Sequence, residues 1–148
     1  MNSIDFKIEQ NTESTWSFIF ENNENQIKIW ASEFMDPIGS LFYELRLLLK
    51  KGQKKGVVSL IDEPQENIII LDRINDNLRI EILNFNDYSG SSRDLAKGKT
   101  IFNGEVKLNR FLNQVINSLQ PYESKEKISK LLKELVELRR KNNLQQWL

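Results

Sequence analysis

The 148-residue chain contains no cysteine and no histidine. Without cysteine it has no disulfide framework, no thiolate nucleophile and no Cys-based zinc or iron–sulfur site. Without histidine it lacks the commonest general base, the commonest metal ligand and the usual third member of a nucleophilic triad. An enzyme made from this sequence would have to use carboxylates, Lys, Tyr or Ser. The missing groups therefore favour a protein that binds over one that catalyses.

Long apolar runs are also missing. The first ten residues show no basic stretch followed by an apolar one, and no segment approaches the roughly 18 apolar residues of a membrane span. The sequence therefore predicts a cytoplasmic protein with no membrane segment. Because domains cluster at roughly 100 to 150 residues, we expect residues 1–148 to form a single α+β domain with its own core.

The formal charge is zero overall but is distributed unevenly along the chain. Residues 1–36 carry seven acidic and two basic side chains, and residues 62–87 carry the same numbers. Basic side chains outnumber acidic ones by five to one in residues 37–61 and by twelve to six in residues 93–148. We expect a dipolar molecule whose acidic region can steer a charged partner.

Apolar alternation predicts most of the strands. Three strands precede residue 33, with a turn over residues 22–25. Residues 57–61, 67–74 and 78–85 predict an antiparallel meander, and residues 100–107 predict a further strand broken at Asn103-Gly104. The sequence therefore predicts an antiparallel meander of about six strands.

Helical spacing predicts three helices. The first begins at Asp36-Pro37, since Asp accepts hydrogen bonds from first-turn amides and Pro suits the first helical position, and it ends near Gly52. The other two, separated by Pro121, close the chain. The predicted fold class is α+β, with one helix after the third strand and two C-terminal helices packed on one face of the sheet.

Two features allow more than one interpretation. Trp16, Trp30 and Phe34 could form a stacking platform for bases or sugars, but aromatic residues at alternate strand positions usually belong to the core, which is what we expect. Trp30 is the open case, because it falls on the strand face opposite Ile27 and Ile29. The basic stripe of the last helix is interleaved with glutamates, so it predicts a solvated face and no nucleic-acid site.

The acidic residues around Pro64 could hold Mg²⁺ or supply a catalytic carboxylate pair. Their spacing sets no third ligand, so we expect no metal, no cofactor and no catalytic residue. Asp36 is expected to cap its helix, and the polar loop that begins at Tyr88 suits contact with a partner. The predicted partner-binding residues are Asp62, Glu63, Glu66, Asp76, Asp87 and Tyr88.

Several short motifs occur in a fixed order between residues 31 and 85. They are Ala31-Ser32, Asp36-Pro37-x-Gly39-x-Leu41, Gly52, Glu63-Pro64 and Leu78-x-Ile80-x-Ile82-x-x-Phe85. In these motifs the chain resembles a group of small bacterial proteins, several of which look like immunity proteins of polymorphic-toxin or contact-dependent-inhibition systems. The group favours a Trp shortly before the Glu-Pro, whereas residues 59–62 contain none. The resemblance implies an antitoxin that blocks a toxin domain by direct binding, and it implies no catalytic residue.

Three hypotheses follow. The first is an immunity-type protein that occludes a toxin, for example a basic nuclease, with an acidic surface. The second is a small-ligand or carbohydrate-binding enzyme that uses carboxylates near Glu63 and Glu66, which requires a deep pocket. The third is a homodimer formed through a sheet edge or the last helix.

Overall fold

The computed structural model describes residues 3–49, 53–87 and 94–145. In chain order the elements are β1 (Asp5–Thr12), β2 (Thr15–Glu21), β3 (Gln26–Ser32), α1 (Pro37–Leu49), β4 (Lys55–Asp62), β5 (Gln65–Ile74), β6 (Asn77–Phe85), β7 (Lys99–Lys107), α2 (Leu108–Leu119) and α3 (Glu126–Gln145). Short 3-10 turns lie at Glu33–Met35, Leu95–Lys97 and Gln120–Tyr122. The predicted α+β class, the helix after the third strand and the two C-terminal helices are confirmed.

The seven strands form two antiparallel sheets, β1-β2-β3 and β4-β5-β6-β7, where the sequence predicted one meander of about six strands. β3 lies beside β4, and at the other pair of edges the amide of Ile4 donates to the carbonyl of Glu105, 3.2 Å away. The two sheets therefore approach each other at both pairs of edges. β7 continues through Asn103 and Gly104, which pair with β6, so the predicted break there is wrong.

One hydrophobic cluster joins both sheets and all three helices. Phe6 of β1 stacks on Phe111 of α2 with ring centroids 4.9 Å apart, which ties the first sheet to that helix. Trp16 is buried, its indole N–H donates to Glu33, and its ring meets Tyr122 edge to face at 5.1 Å. The expected core position of Trp16 is confirmed.

The other two aromatic residues considered with Trp16 lie outside the core. Trp30 is 45% exposed, because Ile29 and Ala31 take the inward positions of β3. Its ring is instead covered by the ammonium group of Lys28 at 5.3 Å. Phe34 is 92% exposed, because it lies in the 3-10 turn after β3, where strand alternation no longer applies. The core expectation is therefore wrong for Phe34, and Trp30, which the sequence left open, is exposed.

Asp36 starts α1 as predicted. Its backbone is left-handed, with φ of 51°, and its carboxylate accepts a hydrogen bond from the Gly39 amide at 3.1 Å. A Cβ atom on Gly39 would lie 2.1 Å from that carboxylate, so a larger residue there would displace the carboxylate from its capping position. The same carboxylate pairs with Lys127, which joins the start of α1 to α3. No helix among the described residues is long and apolar enough to cross a membrane.

Candidate functional site

A groove of about 420 Å³ separates α1 from the outer face of β4, and we call it the α1–β4 groove. It is lined by Met35, Asp36, Gly39, Ser40, Tyr43, Glu44, Val57, Ser59 and Ile61. The local sequence explains which side chains face it. On β4, Val58 and Leu60 point into the core, so the residues between and beside them point outward. On α1, Leu41 and Leu45 pack inward, and Tyr43 lies on the opposite side.

Exposed apolar side chains are concentrated at this groove. Eight large apolar side chains are exposed among the described residues, and four of them, Phe34, Met35, Tyr43 and Val57, line the groove or directly precede a residue that does. Single exposed apolar residues are ordinary, but a contiguous exposed patch marks an interaction surface. The α1–β4 groove therefore has the composition of a binding site.

Glu44 supplies the charge inside the groove. Partial burial raises the pKa of Glu44 above its ordinary value, and this effect outweighs that of the hydrogen bond which its carboxylate accepts from the Val57 amide and which lowers the pKa. None of the described residues that line the groove is a lysine or an arginine. Asp36 at the other end is already paired with Lys127. The groove thus presents a partly desolvated carboxylate between apolar walls.

Three of the predicted partner-binding residues lie at one end of the groove. Asp62 is exposed at the end of β4, directly after Ile61, which lines the groove, and Glu63 is exposed in the β4–β5 turn that follows. Glu66 is buried on the outer face of β5 and accepts a hydrogen bond of 2.5 Å from Ser59, another lining residue. The structure therefore brings these acidic residues to the groove, although only Asp62 and Glu63 are exposed.

The remaining predicted residues are distributed differently. Asp87 follows β6, whose Phe85 pairs with Glu66, so it lies at the same end of the sheet as the β4–β5 turn. Asp76 lies in the β5–β6 turn at the opposite end, roughly 30 Å away along a ten-residue strand at about 3.3 Å per residue. Tyr88 lies outside the described residues. Asp76 is thus not part of the same site.

Glu63 and Glu66 are the carboxylates on which the enzyme hypothesis depended. Glu63 is exposed in a turn, and the Glu66 carboxylate is buried beside the Ser59 hydroxyl. Neither residue lines the α1–β4 groove. Among the described residues, no group of three or more acidic side chains is arranged to hold a metal ion.

A larger groove of about 820 Å³, here called the β1–α2 groove, runs between the outer edge of β1 and α2. Its polar groups are engaged with one another. The Phe6 amide donates to the Gln114 side-chain oxygen at 3.2 Å, and the Gln10 amide donates to the Tyr122 hydroxyl at 3.1 Å. Side chains of α2 and of the turn after it thus occupy the positions that another strand would take. This groove has the features of a protected sheet edge.

Three of the four charged residues that line the β1–α2 groove form ion pairs, and the fourth, Glu21, accepts a hydrogen bond of 3.1 Å from a glutamine side chain. The Lys7 ammonium group lies 2.6 Å from the Glu9 carboxylate, which raises the pKa of Lys7 and lowers that of Glu9 through the shared hydrogen bond. Arg110 of α2 lies 2.5 Å from Asp5. These pairs are exposed, so each contributes little to stability, but they leave little charge for a ligand to neutralise.

Sequence reasoning missed the groove residues Met35, Tyr43, Glu44 and Val57. The exposure of Tyr43 could have been predicted, because this residue lies off the apolar stripe of a helix that is otherwise strongly hydrophobic. Val57 gave no signal, because it belongs to a continuous apolar run in which the two strand faces look alike. Only the packing of α1 beside β4 shows that these residues share a groove.

The chain matches no family model, and a comparison with curated proteins finds no match. Among solved structures it is similar to the CdiA-CT/CdiI toxin and immunity complex from Enterobacter cloacae, with 14% sequence identity and a TM-score of 0.47. The match covers 80% of this chain and 98% of that chain. A likeness at this level supports no conclusion about function, which depends on the grooves and their charges.

Proposed function

We propose that this protein is an immunity-type binding protein that neutralises a bacterial toxin domain by direct contact through the α1–β4 groove and its acidic end. The observation that carries the proposal is the set of exposed apolar side chains of Met35, Tyr43 and Val57 that line the groove, with the exposed Phe34 next to Met35 in the chain. Aromatic side chains of this kind supply much of the affinity in protein interfaces when they enter pockets on the partner. The motif resemblance to immunity proteins described above supports the same function.

The acidic end of the groove suits a basic toxin. Asp62 is exposed at the end of β4, Glu63 is exposed in the β4–β5 turn, and Asp87 is exposed at the same end of the sheet. Exposed charges at the rim of an interface mainly accelerate association, whereas the desolvated centre determines how long a complex lasts. We therefore assign affinity to the apolar groove and steering to the acidic turn.

The experiment uses the full chain and the product of the neighbouring gene. Binding of that product is measured by calorimetry for the wild type, for Tyr43→Ala, and for Ile74→Ala as a matched control. Tyr43 is 56% exposed and Ile74 is 44% exposed, but Ile74 lies at the far end of the sheet, beside the β5–β6 turn. We expect Tyr43→Ala to weaken binding by about tenfold or more, since truncation of an interface anchor typically costs above 1 kcal/mol.

Two results would contradict the proposal. One is a neighbouring gene product that is not toxic or forms no stable complex with the chain at low salt. The other is a complex in which Ile74→Ala weakens binding as much as Tyr43→Ala does, because the contact would then not be centred on the groove.

A further inference from the structure

Glu44 differs from three other acidic side chains in or beside the helices, each of which pairs with a basic side chain. Asp36 pairs with Lys127, Glu134 with Arg46, and Asp5 with Arg110. The hydrogen-bond donor recorded for Glu44 is the backbone amide of Val57, and none of the described groove residues is a cation. Among the described residues, no cation therefore compensates the Glu44 carboxylate for its partial loss of water.

The surroundings of Glu44 would fit the stem of a long basic side chain. The groove is walled by the exposed side chains of Tyr43 on α1 and Val57 on β4. Gly56 has no side chain, and a Cβ atom there would lie 3.2 Å from the Cβ atom of Glu44, so the strand approaches the helix closely at this end. Arginine and lysine bury their aliphatic stems on apolar surfaces while their charged ends seek water or a carboxylate.

We propose that the α1–β4 groove receives an arginine or lysine side chain of the protein partner, whose charged end pairs with Glu44 and whose stem packs between Tyr43 and Val57. This inference rests on the proposed function and specifies its chemistry, because it concerns the same groove. A carboxylate with one amide donor still has acceptor positions free, and a guanidinium group can fill them with two parallel hydrogen bonds. The ring of Tyr43 can add a cation–π contact.

The charges around the groove select the class of partner. Glu44 lies inside it, and Asp62 and Glu63 lie at its end. A phosphate backbone or an anionic membrane surface would be repelled by these carboxylates, whereas a basic protein segment would be attracted. The observations thus favour a protein partner with a protruding basic residue.

The first test measures affinity for the toxin domain by calorimetry with Glu44→Gln, and with Glu24→Gln as a control that removes the same charge from the exposed β2–β3 turn. We expect Glu44→Gln to weaken binding by roughly tenfold or more, because one partner of a desolvated charge pair is lost, and Glu24→Gln to change it less than about twofold. A double-mutant cycle with alanine substitutions of toxin lysines and arginines should find one basic residue whose effect disappears in Glu44→Gln.

The second test does not need the toxin. The full chain, labelled with ¹⁵N, is titrated with N-acetyl-arginine amide and with N-acetyl-citrulline amide, a neutral molecule of nearly the same shape. We expect the Val57 amide signal to shift with the arginine compound, to shift much less with the citrulline compound, and to respond to neither in Glu44→Gln. Equal shifts with both compounds, or no shift with the arginine compound at tens of millimolar, would overturn the inference.

The outcomes separate this inference from the proposed function. If Tyr43→Ala weakens toxin binding and Glu44→Gln does not, the groove binds the toxin and the inference about a basic side chain is wrong. If no toxin binds but the arginine compound shifts Val57 through Glu44, the proposed function is wrong and the recognition of a cation stands.

Discussion

The β1–α2 groove has a volume of about 820 Å³ and the α1–β4 groove only about 420 Å³, yet the smaller one is the better candidate for binding. In the larger groove two β1 amides are bonded to Gln114 and Tyr122, and the charges of Lys7 and Glu9 neutralise each other. In the smaller groove apolar walls surround a carboxylate that has no cationic neighbour among the described lining residues. The volume of a groove therefore does not by itself identify a binding site. A carboxylate without a cationic partner, set between apolar side chains, is the better indication.

The difference arises from which side chains each helix turns toward its strand. Gln114 lies in α2 and Tyr122 in the short 3-10 turn that follows it, and their side chains accept hydrogen bonds from two amides of β1. α1 instead presents Tyr43 and Glu44 to its groove, and none of the described lining residues is a cation that could pair with the Glu44 carboxylate. The comparison predicts that substitutions in one groove affect stability and that substitutions in the other affect binding.

The largest expected effect is on binding, in the double variant Phe34→Ser/Tyr43→Ser. Both side chains are exposed, so the free energy of unfolding should change by no more than about 0.5 kcal/mol per site. Loss of two interface anchors should weaken toxin binding by at least about 2 kcal/mol, roughly thirtyfold in Kd. Calorimetry and urea denaturation measure the two quantities. A variant that binds normally would remove the α1–β4 groove as the site.

The β1–α2 groove should show the opposite behaviour. Gln114→Ala leaves the Phe6 amide without its side-chain acceptor, and Tyr122→Phe does the same for the Gln10 amide. We expect each to lower the free energy of unfolding by about 1 kcal/mol, the net value of a typical hydrogen bond, with toxin affinity unchanged. Denaturant titration of both variants checks the first point and calorimetry the second.

Gln114→Ala also tests the homodimer hypothesis. If the α2 side chains protect the edge of β1, their removal should promote association through that edge, and light scattering should detect dimers in the variant but not in the wild type. A wild-type protein that is already dimeric, and stays so in the variant, would mean that dimers form through another surface.

A smaller effect is expected from charge reversal in the two hairpin turns of the four-stranded sheet. Asp62→Lys lies beside the α1–β4 groove, and Asp76→Lys, its matched control, lies at the opposite end. We expect Asp62→Lys to lower the association rate for a basic toxin roughly three- to tenfold at low salt, with the difference shrinking as salt is added. Stopped-flow measurements at two salt concentrations give the association rates of both variants. An equal decrease for Asp76→Lys would contradict the proposal that the acidic residues beside the α1–β4 groove steer association.

Much of the fold could be predicted from the sequence because it follows from local periodicity. The strand around Trp16 and the helical start at Asp36 depend on neighbouring residues alone, and the structure confirms both. The division into two sheets could not be predicted, because alternation shows which face of a strand is buried but not which strand lies beside it. The sequence of the helix between β3 and β4 does not indicate that these two strands belong to different sheets.

The same distinction applies to the candidate site, of which only the features that depend on neighbouring residues could be predicted from the sequence. Asp62 and Glu63 could be found because acidic residues next to Pro64 indicate an exposed turn. Asp76 has the same local character, and only the sheet register shows that it lies at the far end. Tyr43 and Val57 could not be paired from sequence, because their proximity depends on how α1 packs on β4.

The smallest expected effect concerns the stability cost of Glu44. Partial burial raises its pKa above the ordinary value of 4.5, so the folded chain holds this proton to higher pH than the unfolded chain does. Stability contributed by the protonated form is therefore present below pH 4.5 and is lost as the pH rises through the folded pKa. Glu44→Gln keeps an acceptor for the Val57 amide but carries no charge, so it avoids this loss.

We expect Glu44→Gln to be more stable than the wild type at pH 7, by about 0.5 kcal/mol or less, and equally stable at about pH 4. Thermal unfolding of both proteins at the two pH values measures the difference. A variant that is less stable than the wild type at pH 7 would show that Glu44 already has a cationic partner within the chain, and the groove would then be as internally paired as the β1–α2 groove. A more stable variant that binds the toxin less well would instead show that the chain keeps this carboxylate at a cost to its own stability, because the partner needs it.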